Sequence, residues 1–328
     1  MQNRGAPRLL ELDALRGIAA LQVFVVHYLM VDPGWVDSSA WWVRFTPLRF
    51  VLEPHIAVVL FFVLSGFVLT VALQRERGLP YSAFLARRFC RIYIPFAASV
   101  LLSTLLFAAF RQGPVDGVRP HLNADWLDGS PRAVVGHLLM TGMRPDMQLN
   151  GVMWSLVHEL RVSLLLPAMV VLLSASPWVG AAAAALSCGA YVVLVGAGAW
   201  NPWQADSLGA SLLQTAFYLF PFMVGSVAAL YQQPLTVFLR ANLRLVLVLA
   251  LAAVVVLQRS RVGYTGLGDW PLSIGAGGLI LAALAVPQLS ACLAAAPLQW
   301  LGRISYSLYL VHVPVLLAVL HGTRGHAA

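Results

Sequence analysis

Long apolar runs recur along the chain, separated by shorter polar segments. A helix needs about 20 mostly apolar residues to cross the hydrocarbon core of a bilayer. By that measure the pattern predicts nine spans, over residues 12–30, 55–73, 92–110, 152–173, 179–199, 211–231, 243–258, 271–289 and 303–320. The expected fold class is all-α: a polytopic transmembrane helix bundle forming one integral-membrane domain over 1–328, with no soluble domain left over. No short-period repeat or low-complexity linker stands out, apart from the alanine run 181–185 inside a span. The longest connection, 111–151, is rich in Gly, Pro and Asp. Connections of that length in compact proteins are usually functional or disordered.

Composition strengthens the membrane reading. The 328 residues are 60% hydrophobic and 10% charged, against about 25% charged in a soluble domain. A soluble chain of this size could not cover its surface with so few charges, so the apolar runs must face lipid. The net charge is +8, and all 21 basic residues are arginine. They gather at predicted span ends, which reads as anchoring at the membrane surface, and no nucleic-acid partner is expected. Cys90, Cys188 and Cys292 form no C-x-x-C pair and no metal-ligand spacing, so no metal is expected.

The first run follows Arg4 and Arg8 as a signal peptide would. No small-residue cleavage site comes after Met30, however, and further runs follow, so it reads as a retained first span. The arginines divide almost evenly between the two sides of the predicted topology. The dense cluster Arg87, Arg88 and Arg91 therefore carries the orientation, and it places the N-terminus in the cytoplasm.

Ionisable side chains inside a span cost roughly 2.5–3.5 kcal/mol on insertion scales and are functional candidates by default. Four groups qualify. Arg16 and His27 lie eleven residues apart in the first span, about 16 Å along one helix stripe. An imidazole there suits proton transfer near neutral pH, while the plainer reading has Arg16 reaching to the interface and His27 sitting at it. Ser155 and Glu159 share a face of the fourth span, and the carboxylate needs a partner: an imidazole, a sugar hydroxyl or the neighbourhood of Arg161. His158-Glu159 begins an H-E-x-x-H pattern, but residue 162 is Val, which excludes a zinc-protease helix. Arg87, Arg88 and Arg91 offer planar forks that match phosphate oxygens, with lipid-headgroup anchoring as the plainer reading. Ser305, Tyr309 and His312 recur at i, i+4 and i+7 on one stripe of the last span.

Taken together, these strings resemble the membrane acyltransferase-3 family, whose members O-acylate bacterial surface polysaccharides, peptidoglycan-related polymers and macrolides. Leu12-Asp13-Ala14-Leu15-Arg16-Gly17 running on to His27 resembles its opening signature, an Arg and a His with ten residues between. Phe61-Phe62-Val63-Leu64-Ser65-Gly66-Phe67 resembles its second-span motif. Arg87-Arg88-Phe89-Cys90-Arg91-Ile92 is similar to its Arg-Arg-x-x-Arg-Ile element, and Trp154-Ser155-Leu156 with Glu159 to its Trp-Ser-Leu-x-x-Glu. Ile304-Ser305-Tyr306-Ser307-Leu308-Tyr309-Leu310 with His312 resembles its closing motif. The five strings stand in family order from residue 12 to residue 312. Members usually continue past the closing motif into one further span, so a chain stopping at Ala328 is expected to lack that final span.

The resemblance implies a donor acyl-CoA, most often acetyl-CoA, with no permanently bound cofactor. It implies a carbohydrate-type acceptor and a bacterial inner-membrane location. Arg16, Arg87, Arg88, Arg91 and Ser65 are the expected acyl-CoA-binding residues, with Ser65-Gly66 leaving room for a thin arm to thread between spans. His27 is the expected general base, with Glu159 orienting it or stabilising its charged form. Trp154, Ser155, Tyr306, Tyr309 and His312 are expected around the acceptor or the developing oxyanion. A covalent acyl-His27 relay is a second route. A transporter or flippase for a polar metabolite also suits intramembrane charge, and a scaffold with no chemistry would leave His27, Glu159 and His312 unexplained.

Overall fold

The computed structural model describes residues 9–31, 46, 51–76, 80–111, 113, 115, 126, 128–176, 178–201, 203–244, 266 and 268–324. Within them the chain is a helical bundle: α1 (Leu10–Leu29), α2 (Pro54–Arg75), α3 (Tyr81–Phe110), α4 (Pro131–Leu138), α5 (Trp154–Ala175), α6 (Trp178–Gly196), α7 (Leu208–Leu230), α8 (Gln232–Ala241), α9 (Asp269–Ala285), α10 (Pro287–Leu293) and α11 (Ala296–Arg324). Among the described residues, α1, α2, α3, α5, α6, α7 and α11 are long and apolar enough to cross a membrane, and α9 with α10 forms an eighth span if taken as one bent element. Of the nine expected spans, 243–258 lies outside the described residues from 245 onward.

Two expected spans change in character, and the last span lengthens from 303–320 to Ala296–Arg324. The third span begins at Tyr81, eleven residues before the expected start, because the arginine cluster is itself helical. Phe84, Arg88, Ile92 and Phe96 are buried at four-residue steps, one stripe of a 3.6-residue helix. Arg88 therefore faces the bundle, while Arg87 and Arg91 turn outward and are exposed. The expected span 271–289 breaks at Val286, where the chain bends by 94°. Pro287 is the cause: the residue before a proline is pushed out of the helical region, and Val286 sits at φ −98°, ψ 110°.

Side-chain contacts give the helix directions. Gly17 of α1 meets Leu301 and Gly302 of α11, and His27 meets His312, so α1 and α11 run parallel. A Cβ on Gly302 would lie 2.4 Å from the Asp13 carbonyl oxygen, and one on Gly17 would lie 2.6 Å from the Gly302 nitrogen. Only glycine lets these two backbones approach so closely. A second close contact joins α2 to α7, where a Cβ on Gly66 would fall 2.1 Å from the Phe222 carbonyl oxygen and one on Gly225 would fall 2.0 Å from that of Val63. That space is filled by α7, which corrects the expectation that Ser65-Gly66 leaves a gap for a threaded arm.

The core between these helices is aromatic: Phe62, Phe67, Phe96, Phe217, Tyr218 and Phe222 are fully buried. The outward faces carry Leu105, Leu165, Val171, Trp178 and Val192 exposed, an arrangement that lipid tolerates and water penalises. At the end of the bundle where α1 begins, the Ser290 hydroxyl of α10 donates to the Glu11 carboxylate at 2.6 Å. Gln299 Nε2 donates to the Leu10 carbonyl at 2.9 Å and to that of Leu293 at 2.7 Å.

At the opposite end, the short helix α4 is capped by Ser130, whose hydroxyl accepts from the Ala133 amide at 3.3 Å. It buries His137 against Phe96, ring centroids 5.6 Å apart, with neither ring nitrogen hydrogen-bonded. Burial pushes this imidazole down from 6.5 to about 3.

Two outcomes follow from this packing. Gly302→Val should lower thermal stability in detergent by about 1–3 kcal/mol, as overpacking does, because α11 must move off α1; an unchanged melting temperature would remove the glycine contact as a constraint. His137 binds its proton more readily unfolded than folded, so its contribution to stability falls as pH drops below about 6.5, by about 1.4 kcal/mol per unit. Melting curves between neutral and mildly acid pH should therefore decline less steeply for His137→Leu than for the wild type.

Candidate active site

One polar cluster inside the bundle is built on Glu159. Trp154 starts α5, so Glu159 lies one to two turns in, on the same face as Ser155. The Glu159 Oε1 accepts from the Ser65 hydroxyl of α2 at 3.0 Å and from the Arg88 Nη2 of α3. Three helices are thus tied at one carboxylate oxygen. Arg16 of α1 lies within electrostatic reach of Glu159, Arg88 and Arg91, and it pairs with Asp13 at 3.6 Å. Three guanidiniums therefore face two carboxylates. Tyr306 of α11 stands in the same field and donates to the Ile92 carbonyl at 3.2 Å.

A polar track leads from this cluster along α5 and α11. The Tyr309 hydroxyl donates to the Val152 carbonyl at 2.8 Å. A phenol has a single hydrogen, so in its 2.7 Å contact with Ser155 the serine is the donor. The Tyr309 ring lies 5.9 Å from that of His312, and His312 lies 5.1 Å from His27 at an angle of 63°. Both imidazoles are tethered through Nδ1 to their own helices: His27 to the Val23 carbonyl at 2.8 Å, His312 to the Tyr309 carbonyl at 2.8 Å and the Leu308 carbonyl at 3.2 Å. That donation fixes the tautomer and leaves Nε2 as the basic nitrogen of each ring.

The structure thus gathers Arg16, Ser65, Arg88 and Tyr306 around the Glu159 carboxylate, with the exposed Arg91 at the edge within electrostatic reach of Arg16 and Tyr306, and Ser155, Tyr309, His312 and His27 along the track above it. It separates others. Arg87 is exposed and pairs with Glu76 at 3.1 Å, away from the cluster. Glu159 is committed to Arg88 and Ser65, and His27 meets a backbone carbonyl, which corrects the expected Glu159–His27 contact. Arg161 is no partner of Glu159 either. Two residues along, it faces α7 and donates to the Ser211 hydroxyl at 2.8 Å, Thr215 Oγ1 at 3.1 Å and the Thr141 carbonyl at 2.8 Å. The hydrogens of Tyr306 and Tyr309 both go to backbone carbonyls, so as they stand neither serves an oxyanion.

Trp154 belongs to a different cluster. It stacks on His55 at 6.1 Å and 13° and packs on His158 and Tyr218. There the buried His55 Nε2 meets both carboxylate oxygens of Asp269 at 2.9 Å, joining α2 to α9. Sequence reasoning missed this pair. Its signal was present: each is an ionisable residue within two positions of a predicted apolar span. Among the described residues no group of three or more His, Cys, Asp or Glu is arranged to hold a metal ion.

Comparison with known protein families gives a match. The family model of the acyltransferase domain, acyltransferase-3, matches residues 9–326, nearly the whole chain. No curated protein and no solved structure matches it.

The Glu159 cluster makes a measurable claim. Glu159→Gln leaves the Arg88 guanidinium buried without its counter-charge, which should cost on the order of 3 kcal/mol. The double variant Glu159→Gln with Arg88→Met should recover most of that loss in unfolding measurements. Additive losses would mean that the two side chains are not coupled.

Proposed function

The chain belongs to the acyltransferase-3 family of membrane acyltransferases, and from that premise we propose that it moves an acyl group from an acyl-CoA to a hydroxyl of a carbohydrate-type acceptor. The acyl group is acetyl, the membrane is the bacterial inner membrane, and the N-terminus is cytoplasmic, so the donor enters from the end where α1 begins. No resident cofactor is required; acetyl-CoA is a substrate. One observation carries this reading: a polar track inside an apolar bundle, running from guanidiniums near one end to two imidazoles about 16 Å further along α1.

The parts take the following roles. Arg91 is exposed at the donor end and meets the CoA phosphates, with Arg16 deeper in. Arg88 is held by Glu159 and contributes a fixed charge. The pantetheine arm reaches from the guanidiniums toward His27 by a path other than the Ser65-Gly66 contact, which α7 fills. His27 Nε2 takes the proton from the acceptor hydroxyl as its oxygen attacks the thioester carbonyl, a transfer typically worth about 10²–10⁴ in rate. Its Nδ1 bond to Val23 supports this by holding Nε2 unprotonated. Ser155 and Tyr309 fix the relative height of α5 and α11, and Trp154 acts by packing.

A transporter is the alternative from another class. The bent α9–α10 element suits it, but no second broken helix matches it among the described residues.

His27→Ala should abolish acyl transfer while the protein still inserts; retained activity would remove His27 from the mechanism. Arg91→Ala should weaken acetyl-CoA binding by about tenfold, the loss of one charge-assisted contact, while Arg87→Ala leaves it unchanged. Isothermal titration in detergent reads both, and equal effects would return Arg91 to headgroup anchoring. Mass spectrometry of surface glycans with and without the gene would identify the acceptor.

A further inference from the structure

Two imidazoles stand ring to ring inside the bundle, and acyl transfer as described uses only one. A neutral imidazole carries a single N–H. In both rings that hydrogen sits on Nδ1 and is donated to a carbonyl, so both Nε2 atoms carry lone pairs. The His312 Nε2 is buried with no hydrogen-bond partner. One added proton would satisfy it. An imidazole nitrogen sits about 1.1 Å from its ring centre, so an N–H···N bond of about 2.9 Å places two centroids about 5 Å apart. The observed centroid separation is 5.1 Å with the ring planes at 63°; His312 Nε2 makes no hydrogen bond to His27 as the rings stand, so a shared proton would draw the two nitrogens together. Two protons would place like charges in contact in a desolvated site, which is strongly disfavoured.

Among the described residues, the acids of the helices packed on the two rings are engaged elsewhere, and Glu53, just before α2, lies in the field of His55. Tyr309 of α11 and Ser155 of α5 are hydrogen-bonded to each other. Ser99 of α3 donates to the Leu310 carbonyl. No ionisable residue lies between His55 and Arg75 in α2. Asp269 of α9 is held by His55, and Glu11 is held by Ser290 of α10 at the far base of α1. Glu159 stands a turn beyond Ser155 and is held by Arg88.

We propose that His312 is the second base of this site: its Nε2 receives the proton that His27 removes from the acceptor hydroxyl, and the two rings carry one proton between them. This rests on His27 as general base. The acceptor O–H bond breaks and its proton goes to His27 Nε2. The oxygen bonds the acyl carbon, the carbon–sulfur bond breaks, and CoA leaves as a thiolate. The proton, shared meanwhile with His312, then returns through His27 to the sulfur. Free CoA thiol and the ester are formed, and both rings end neutral.

The test is imidazole ¹⁵N NMR of the full chain in lipid nanodiscs, titrated from about pH 8 to about pH 5. The two rings should respond together, with one midpoint and one proton taken up between them. His312→Phe, which removes the accepting nitrogen, should shift the His27 midpoint by about one pH unit or more, a tenfold change in proton affinity. His312→Gln, whose amide oxygen still accepts, should keep it closer to the wild type. Independent titration of the two rings, no uptake at all, or a His27 midpoint indifferent to both variants would overturn the proposal. If His312→Phe fails to fold, the wild-type titration and His312→Gln still decide. The readout needs no acceptor, so it stays separate from acyl transfer in His27→Ala, whose survival would sink the base and leave the proton pair standing.

Discussion

A guanidinium cannot be left bare inside a membrane, and the bundle is organised around meeting that requirement at Arg88. The helix that carries it buries Phe84, Ile92 and Phe96 on the same stripe, so Arg88 is drawn inward with its neighbours. Its counter-charge must come from another helix, and Glu159 supplies it. Once that pair forms, α3 and α5 have a fixed height relative to each other, and the Ser65 hydroxyl adds α2 through the same carboxylate oxygen. Desolvation makes such a pair a weak source of net stability, but it strongly penalises any arrangement that separates the partners. Its effect is on which packing is allowed.

The chemistry sits on a second constraint, the near contact of α1 and α11. Parallel helices with equal rise keep their register over their length. Gly17 against Gly302 therefore brings His27 level with His312 ten residues later on each helix. Antiparallel helices sharing one contact would carry the same residues apart. Smallness at one level thus determines proximity at another, with no direct contact between the two.

How much of this was legible in the sequence depended on whether a feature lives within one helix or between two. The stripes Ser155–Glu159 and Tyr309–His312 follow from spacing alone, and each helix presents them as expected. The stripe Phe84–Arg88–Ile92–Phe96 was equally readable, but taking the arginines as a span-end cluster hid that Arg88 alone points inward. Partners were not legible. Glu159 was expected near an imidazole and is held by an arginine 71 residues earlier in the chain. His55 and Asp269 lie 214 residues apart, and neither stood deep enough in an apolar run to attract notice. Spacing says which side chains share a face; it does not say which helix that face meets.

The 94° turn at Val286 has an effect well away from itself. It lays α10 across the base of α1, where Ser290 holds Glu11, and Gln299 just beyond holds the Leu10 carbonyl. A helix behaves as a stiff rod, so fastening its foot fixes its tip. A slip of one residue at the base would displace the far end by about 1.5 Å and rotate it by about 100°, enough to carry an imidazole off its neighbour. Two hydrogen bonds at the foot of the rod thus act as an alignment stop for a ring seventeen residues above.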